Sequence, residues 1–167
     1  MARLVYYVAQ TLDGFIAEPD GGVRFLDGLG EDGDDFGYAK FERGIDSLIM
    51  GRGTYEFVEA TGTWPYAGKP TWLMTSNPLA TPPSDAHVTD ASPAEVLRAI
   101  RETGARDTWL VGGGRLAGAF AQAGLIDEWI VTVVPCVMGQ GVPLAAPLSS
   151  TLPLELVRSE VCAHGVV

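Results

Sequence analysis

Basic residues are few in this chain of 167 residues: 11 Lys and Arg stand against 21 Asp and Glu, and the formal net charge at pH 7 is −10. A general binder of nucleic acid or of anionic membranes needs a basic surface that neutralises phosphate groups. The composition therefore argues against nucleic-acid and membrane partners. Any anionic ligand of this protein would need positive charge supplied locally, at the site itself.

Cysteine and histidine are scarcer still, with two residues of each: Cys136, Cys162, His87 and His164. The cysteines lack C-x-x-C spacing, and we expect two reduced thiols rather than a disulfide or a zinc site. The acidic, glycine-rich stretch 21–35 does not follow the spacing of a calcium-binding loop and is expected to be a solvated loop. No metal site is predicted.

Long apolar runs are also absent. The sequence contains no run of about twenty apolar residues, which a transmembrane helix would need. Residues 1–5 do not begin a signal-peptide pattern. We therefore expect a cytoplasmic protein. A chain of this length in which 47% of the residues are hydrophobic can bury one well-packed core, which predicts a single domain over residues 1–167.

What the sequence does contain, twice, is an apolar strand pattern that runs directly into glycine. The run 107–111 precedes Gly112-Gly113-Gly114, and the run 47–50 precedes Gly51-Arg52-Gly53-Thr54. Helical patterns follow both turns. Glycine lets the backbone approach a ligand closely, and the free amides at a helix start favour a phosphate. Both turns could also be purely structural, and Arg52 could bind a phosphate or form a surface ion pair.

Polar residues end two other predicted strands. Asp13 and Gly14 follow the first strand, and Thr75-Ser76-Asn77 follows the strand 71–74. Open α/β sheets bind their ligands at the carboxyl ends of the strands, so these side chains could contact a ligand. Each also suits a turn in which its own oxygen bonds the local backbone. Both interpretations remain open.

Helix signals are clearest near residue 92. Ser92 and Pro93 suit the N-cap and the first position of a helix that is predicted from Ala94 to about Thr103. A shorter helix is predicted from about Asp35 to Arg43, with Asp34 or Asp35 as its cap. Apolar strands that alternate with such helices are typical of α/β proteins.

Together these motifs resemble the dihydrofolate reductase-like superfamily, and more closely its bacterial branch that includes the reductase domain of the bifunctional riboflavin-biosynthesis deaminase/reductase. The resemblance is carried, in chain order, by Asp13-Gly14, the run 48–56, the run 111–115, Asp127-Glu128 and the run 139–144. It implies an α/β fold of the dihydrofolate reductase-like type, with a central, twisted, mostly parallel sheet flanked by helices.

The resemblance also implies NADPH as the cofactor, lying across the carboxyl ends of the strands. Ala9 would contact the nicotinamide carboxamide through its backbone, and Ile16 would pack near the ring. The residues implied at the phosphates are Gly51, Arg52 and Thr54, with Arg52, Thr75, Ser76 and Asn77 around the 2′-phosphate and Gly113, Gly114, Arg115 and Leu116 around the pyrophosphate. Gly53 stands where the family often has a basic or imidazole residue, so the preference for NADPH over NADH stays open.

For the chemistry, the resemblance implies hydride transfer to a C=N or C=O carbon of a small heterocyclic or sugar-derived substrate. Two acids are candidates for assisting protonation. Asp13 lies in the D-G turn of the riboflavin branch, and Asp35 lies sixteen residues before Gly51, where dihydrofolate reductases place a pterin-binding carboxylate. Such an acid works best with a pKa that burial raises.

Two rival interpretations come from other functional classes. One is an NADPH-binding sensor without turnover, and the other is a partner-binding domain that binds no nucleotide. The resemblance also predicts a homodimer.

Overall fold

The structure is a computed structural model, and it describes residues 3–30, 33–77, 79, 82 and 86–167. The strands of this part of the chain are β1 (Arg3–Thr11), β2 (Phe15–Ala17), β3 (Ser47–Gly51), β4 (Thr71–Met74), β5 (Ala86–Thr89), β6 (Asp107–Gly112), β7 (Glu128–Val134) and β8 (Val142–Pro143). Its α-helices are α1 (Tyr38–Arg43), α2 (Arg52–Ala60), α3 (Pro93–Glu102) and α4 (Gly114–Gln122), and short 3₁₀ turns cover Arg24–Leu26 and Ala163–Gly165.

Six of these strands form one sheet in the order β5-β4-β3-β6-β1-β7. Every pairing in this sheet is parallel. The carboxyl ends of the strands therefore meet at a single edge. β2 and β8 form a separate antiparallel ribbon beyond β1. The predicted fold class, a mostly parallel sheet flanked by helices, is confirmed.

Both faces of the sheet are covered by apolar side chains. On one face, Leu4, Tyr6 and Leu110 pack against buried residues of α3 and α4, including Phe120. On the other face, Leu48 and its neighbours pack against buried residues of α2 and the partly buried Phe41 of α1. A parallel sheet requires this cover because its central strands are apolar on both sides.

The best local prediction from the sequence was α3. Ser92 and Glu95 form a reciprocal capping box, and Pro93 is the first helical residue, as the pattern indicated. The predicted start of α1 is wrong by three residues. Phe36 and Gly37 have positive φ angles of 51° and 82°, so the chain cannot enter the helix at Asp35.

The last part of the chain returns to the sheet at Val167, whose backbone exchanges hydrogen bonds of 2.7 Å and 3.1 Å with Val133 of β7. Residues 151–161 are exposed throughout and form no strand. Elsewhere, the acidic stretch 21–35, expected to be a solvated loop, includes Glu31 and Asp32, which lie outside the described residues. Among the residues that the structure describes, no helix has both the length and the apolar character to cross a membrane.

Candidate active site

Two helices begin directly at the carboxyl edge of the sheet, and neither is capped by a side chain. Gly51 is the N-cap of α2 and Gly113 the N-cap of α4, and neither start has a side-chain hydrogen bond. α3 differs, since its first amides are bound by Ser92. Free amides at a helix start carry the positive end of the helix dipole. The first turns of α2 and α4 can therefore bind an anion.

The two glycine turns face each other across adjacent strands. A Cβ atom on Gly112 or on Gly113 would lie 3.7 Å from the Thr54 hydroxyl oxygen. A Cβ atom on Gly51 would lie 3.8 Å from the side chain of Leu116. The peptide bond between Gly112 and Gly113 is cis. The structure thus brings Gly51 close to Leu116, and Gly113 close to Thr54, at the starts of the two helices.

Gly114 is fixed by a close approach of another loop. A side chain at this position would overlap the carbonyl group of Pro143, and Ala146 donates a backbone hydrogen bond of 3.1 Å to the Gly114 oxygen. Leu144 binds the Gly14 carbonyl in the same way, at 3.0 Å. The loop around β8 therefore joins the start of α4 to the turn after β1.

Arg52, the predicted phosphate ligand of α2, is exposed and forms an ion pair on its own helix. Its Nε donates to Glu56 Oε1 at 2.6 Å. This is the surface pairing that the sequence left open as the alternative. An exposed pair between residues i and i+4 contributes only about 0.3–0.5 kcal/mol. A stronger anion could therefore displace Glu56 from Arg52. Arg115 is likewise exposed on the first turn of α4.

The polar residues after β4 form a local turn beside the end of β3. The Thr75 hydroxyl accepts a hydrogen bond from the Asn77 amide at 3.1 Å, and Ser76 and Asn77 are exposed. Met74, the last residue of β4, pairs with Gly51. The turn therefore lies next to the start of α2, although the hydroxyl of Thr75 is already hydrogen-bonded to the backbone of Asn77.

Asp13 is an exposed carboxylate with several donors. Thr11 donates its hydroxyl to Asp13 at 2.6 Å, and the backbone amides of Met138 and Gly139 donate to it at 3.1 Å and 2.7 Å. These hydrogen bonds, that of Thr11 first, lower the pKa of Asp13 to about 2. This is the opposite of the raised pKa that a proton donor requires.

A cavity of about 390 Å³ opens beside β1, and two of the predicted site residues line it. Ala9 and Asp35 line it, whereas Asp13 does not. Asp35 is exposed, and hydrogen bonds from the backbone amides of Ala39 and Gly37 lower its pKa. Ile16 is half-buried in the β2 ribbon and is not part of the cavity wall.

Sequence reasoning missed the aromatic and hydroxyl residues of this cavity. Tyr7, Tyr38 and Thr132 line it, and burial raises the pKa of Tyr7 while the Thr132 side chain acts in the opposite direction. Because side chains alternate along a strand, Tyr7 lies on the opposite face of the sheet from Tyr6. Which face carries the cavity depends on where residues 26–38 fold, and the strand pattern does not contain that information.

No group of three or more His, Cys, Asp and Glu side chains in the described ranges is placed to hold a metal ion. His87 instead stacks on Trp72, with ring centroids 4.7 Å apart.

Comparison with known proteins identifies the family. Residues 2–167 match the family model described as the RibD C-terminal domain. This chain belongs to that family. It is 37% identical to the Bacillus subtilis uncharacterized protein YwjB over 98% of this chain and 94% of that protein. A putative riboflavin biosynthesis protein from Shewanella sp. PV-4 has a similar structure, with a TM-score of 0.88, 27% identity, and coverage of 99% and 95% of the two chains.

More distant structures share the fold of this RibD C-terminal domain. A Thermotoga maritima diaminohydroxyphosphoribosylaminopyrimidine deaminase/5-amino-6-(5-phosphoribosylamino)uracil reductase matches with a TM-score of 0.65 and 16% identity, over 91% of this chain and 51% of that one. Enterococcus faecalis dihydrofolate reductase, in a complex with NADP(H), matches with a TM-score of 0.61 and 21% identity, over 88% and 79%. The chain therefore has a dihydrofolate reductase-like fold.

Proposed function

We propose that this RibD C-terminal domain protein is an NADPH-dependent reductase that delivers a hydride to a C=N or C=O carbon of a small heterocyclic or sugar-derived substrate. The observation that carries the proposal is the pair of uncapped helix starts at Gly51 and Gly113, which face one another at the carboxyl ends of the adjacent strands β3 and β6. A dinucleotide needs such a place for its phosphates and an adjoining pocket for its reactive ring.

The residues present fit the phosphates of NADPH. The amides of Gly114 and Arg115, at the uncapped start of α4, would donate to the pyrophosphate, with Leu116 closing one side. Gly51 and Thr54 would complete this cradle from α2. Arg52 would exchange Glu56 for the 2′-phosphate, beside Thr75, Ser76 and Asn77. A guanidinium can bind a phosphate through two parallel hydrogen bonds, whereas Arg52 donates its Nε to Glu56.

The other half of the cofactor would lie at the cavity. NADPH, when bound, supplies the hydride that the protein itself lacks. The backbone of Ala9, at the carboxyl half of β1, would orient the carboxamide, and Ile16 would cover the ring from the β2 ribbon. The main task of the chain is therefore to position cofactor and substrate.

Of the two candidate acids, Asp35 fits the chemistry better. It lines the cavity, whereas Asp13 binds the 138–139 loop. Because its pKa is lowered, Asp35 is ionised at neutral pH and would act by orienting a water that delivers the proton. Asp13 would act as a positioning residue that holds two loops of the site together.

The test is a titration of the protein with NADPH and with NADH, followed by tryptophan quenching. Arg52→Ala should weaken NADPH by roughly tenfold and leave NADH nearly unchanged, because only NADPH carries the 2′-phosphate. Glu56→Gln is the matched control, since it frees Arg52 and should not weaken NADPH. Absence of binding of either nucleotide would reject the proposal and favour a partner-binding domain.

A second candidate is an NADPH-binding sensor without turnover. It is favoured by one observation, the lowered pKa of both candidate acids. It predicts NADPH binding with no oxidation at 340 nm across a panel of carbonyl and imine substrates. Turnover of any one of them would exclude it.

We also propose a homodimer. Leu154, Leu156 and Val157 leave 63%, 80% and 90% of their surfaces exposed in the segment 151–161, and a second copy could cover them. Light scattering after gel filtration should give twice the monomer mass, and Leu156→Asp with Val157→Asp should return the monomer.

A further inference from the structure

The cavity beside β1 has three walls that come from separate parts of the chain. β1 provides Tyr7 and Ala9, and β7 provides Thr132 and Val134. The third wall is formed by described residues that follow β2 and by the first residue of α1: Leu26, Leu29, Gly30, Gly33, Asp34, Asp35, Phe36 and Tyr38. Its volume of about 390 Å³ lies at the lower end of the range for small-molecule sites. A single or fused ring system fits this size.

The aromatic part of the wall is flat and held in place. The Tyr7 ring stacks on Phe41, with centroids 4.3 Å apart and planes 15° from parallel, and Trp109 packs edge-on against it at 6.2 Å. Trp109 also donates its indole N–H to the Tyr7 carbonyl at 3.0 Å. A ring that is fixed in this way offers a planar ligand a surface without further loss of side-chain freedom.

One neutral polar pair interrupts this apolar wall. The hydroxyl-bearing side chains of Tyr7 and Thr132 both line the cavity, and burial raises the pKa of Tyr7. Tyr7 therefore stays protonated at neutral pH. Each hydroxyl can both donate and accept, so the pair suits an uncharged ring nitrogen or carbonyl oxygen.

The fixed charge at the cavity is negative. Asp34 and Asp35 line it, and none of the described residues that line it is Lys, Arg or His. The charge of Arg43, at the end of α1, acts on Asp35, but Arg43 is exposed and is not part of the wall. A phosphate here would face two carboxylates without a cation in the cavity, inside a protein of net charge −10.

We propose that this cavity selects an uncharged or cationic planar heterocycle and rejects a phosphorylated one. The substrate of this protein would then differ in charge from the phosphoribosylamino-uracil for which the Thermotoga maritima relative is named. The inference rests on the proposed function for the role of the site, and it concerns only the substrate.

The experiment compares two probes that differ only in the phosphate, 5-amino-6-(5-phosphoribosylamino)uracil and 5-amino-6-(ribosylamino)uracil. Calorimetry on the full chain, with and without NADP⁺, should give a dissociation constant about tenfold lower for the unphosphorylated probe. In Asp34→Asn/Asp35→Asn the difference should fall to about threefold or less. Asparagine keeps one acceptor oxygen at each position, so residue 34 can still bind the Phe36 amide and residue 35 one of the two amides, of Gly37 or Ala39, that Asp35 binds. Because asparagine is also a good helix cap, the loop should stay folded, and circular dichroism checks this.

Asp90→Asn is the matched control, because it removes the same charge from an exposed position after β5 and should leave the ratio unchanged. Equal or tighter binding of the phosphorylated probe would overturn the inference, most directly if Arg43→Gln then abolished that binding. Binding of neither probe would overturn it too. The NADPH titration is read separately, so a failure of the substrate inference is distinguishable from a failure of the proposed reductase function.

Discussion

The carboxylate of Asp13 accepts a hydrogen bond from the backbone amide of Gly139, with 2.7 Å between Oδ2 and N. The same carboxylate accepts hydrogen bonds from the Thr11 hydroxyl and the Met138 amide. Through these bonds one side chain ties the turn after β1 to the loop that leads into β8. That loop in turn packs on Gly114 at the start of α4. Asp13 therefore acts on the proposed cofactor site through the backbone.

This arrangement predicts an acid-dependent loss of stability. The pKa of Asp13 is lowered to about 2 in the folded protein, whereas an unfolded aspartate titrates near roughly 3.9. The stabilisation is thus fully present above about pH 5 and is lost as the pH falls towards 2. Melting temperatures of wild type and Asp13→Asn should differ most at pH 7 and converge near pH 2.

Asp90→Asn serves as the charge-matched control for this series. Asp90 is exposed in the loop after β5, and its replacement should lower the melting temperature little at either pH. A difference between wild type and Asp13→Asn that stays constant from pH 7 to pH 2 would contradict the linkage.

A second prediction concerns two glycines in the first turns of the site helices. Gly114→Ala places a Cβ onto the Pro143 carbonyl, so the β8 loop must shift, at a cost of about 1–3 kcal/mol in the free energy of unfolding. Gly53→Ala meets no atom within 4 Å and should be neutral or stabilising by up to about 1 kcal/mol. Urea denaturation measures both changes, and equal effects would refute the close approach at Gly114.

The sequence predicted most of the sheet because its central strands are apolar on both faces and end at glycine or polar residues. β3, β6 and α3 follow patterns that depend only on neighbours in the chain. The start of α1 was predicted wrongly, because it depends on the positive φ angles of Phe36 and Gly37. Phenylalanine rarely adopts such an angle, so no local rule indicates it.

At the candidate site, the sequence indicated the two glycine turns but neither the protonation of the candidate acids nor the side chains that line the cavity. It treated Asp13 and Asp35 as acids whose pKa burial would raise. In the structure, the Thr11 hydroxyl and backbone amides lower the pKa of Asp13, and backbone amides lower that of Asp35. Those amides belong to residues 138–139 and to the start of α1. Tyr7 and Thr132 come from strands 125 residues apart in the chain, and only the parallel pairing of β1 with β7 brings them together.

A third prediction tests the register of the two central strands. The hydroxyls of Ser47 and Thr108 form a hydrogen bond of 2.9 Å inside the sheet, and their residues are only 2% and 0% exposed. Thr108→Val should cost about 1–3 kcal/mol in unfolding free energy, because Ser47 keeps a buried hydroxyl without its partner. Adding Ser47→Ala should recover most of that loss. A double variant as unstable as the sum of the single variants would mean that the two hydroxyls are not coupled.

The last prediction separates the hydroxyl of Tyr7 from its ring. Tyr7→Phe keeps the stacking on Phe41 and removes only the hydroxyl beside Thr132, so the unfolding free energy should change by less than about 1 kcal/mol. Binding of 5-amino-6-(ribosylamino)uracil, measured by calorimetry, should weaken by roughly fivefold, since one hydrogen bond to the ring is lost.

Tyr55→Phe provides the matched control for this change. The Tyr55 hydroxyl donates to Glu59 at 2.9 Å on α2, and Tyr55 is not part of the cavity wall. Its removal should leave the affinity for the ring unaltered. If Tyr55→Phe weakened the probe as much as Tyr7→Phe, the loss would reflect a general change in packing. Tyr7 would then have no direct role in holding the substrate.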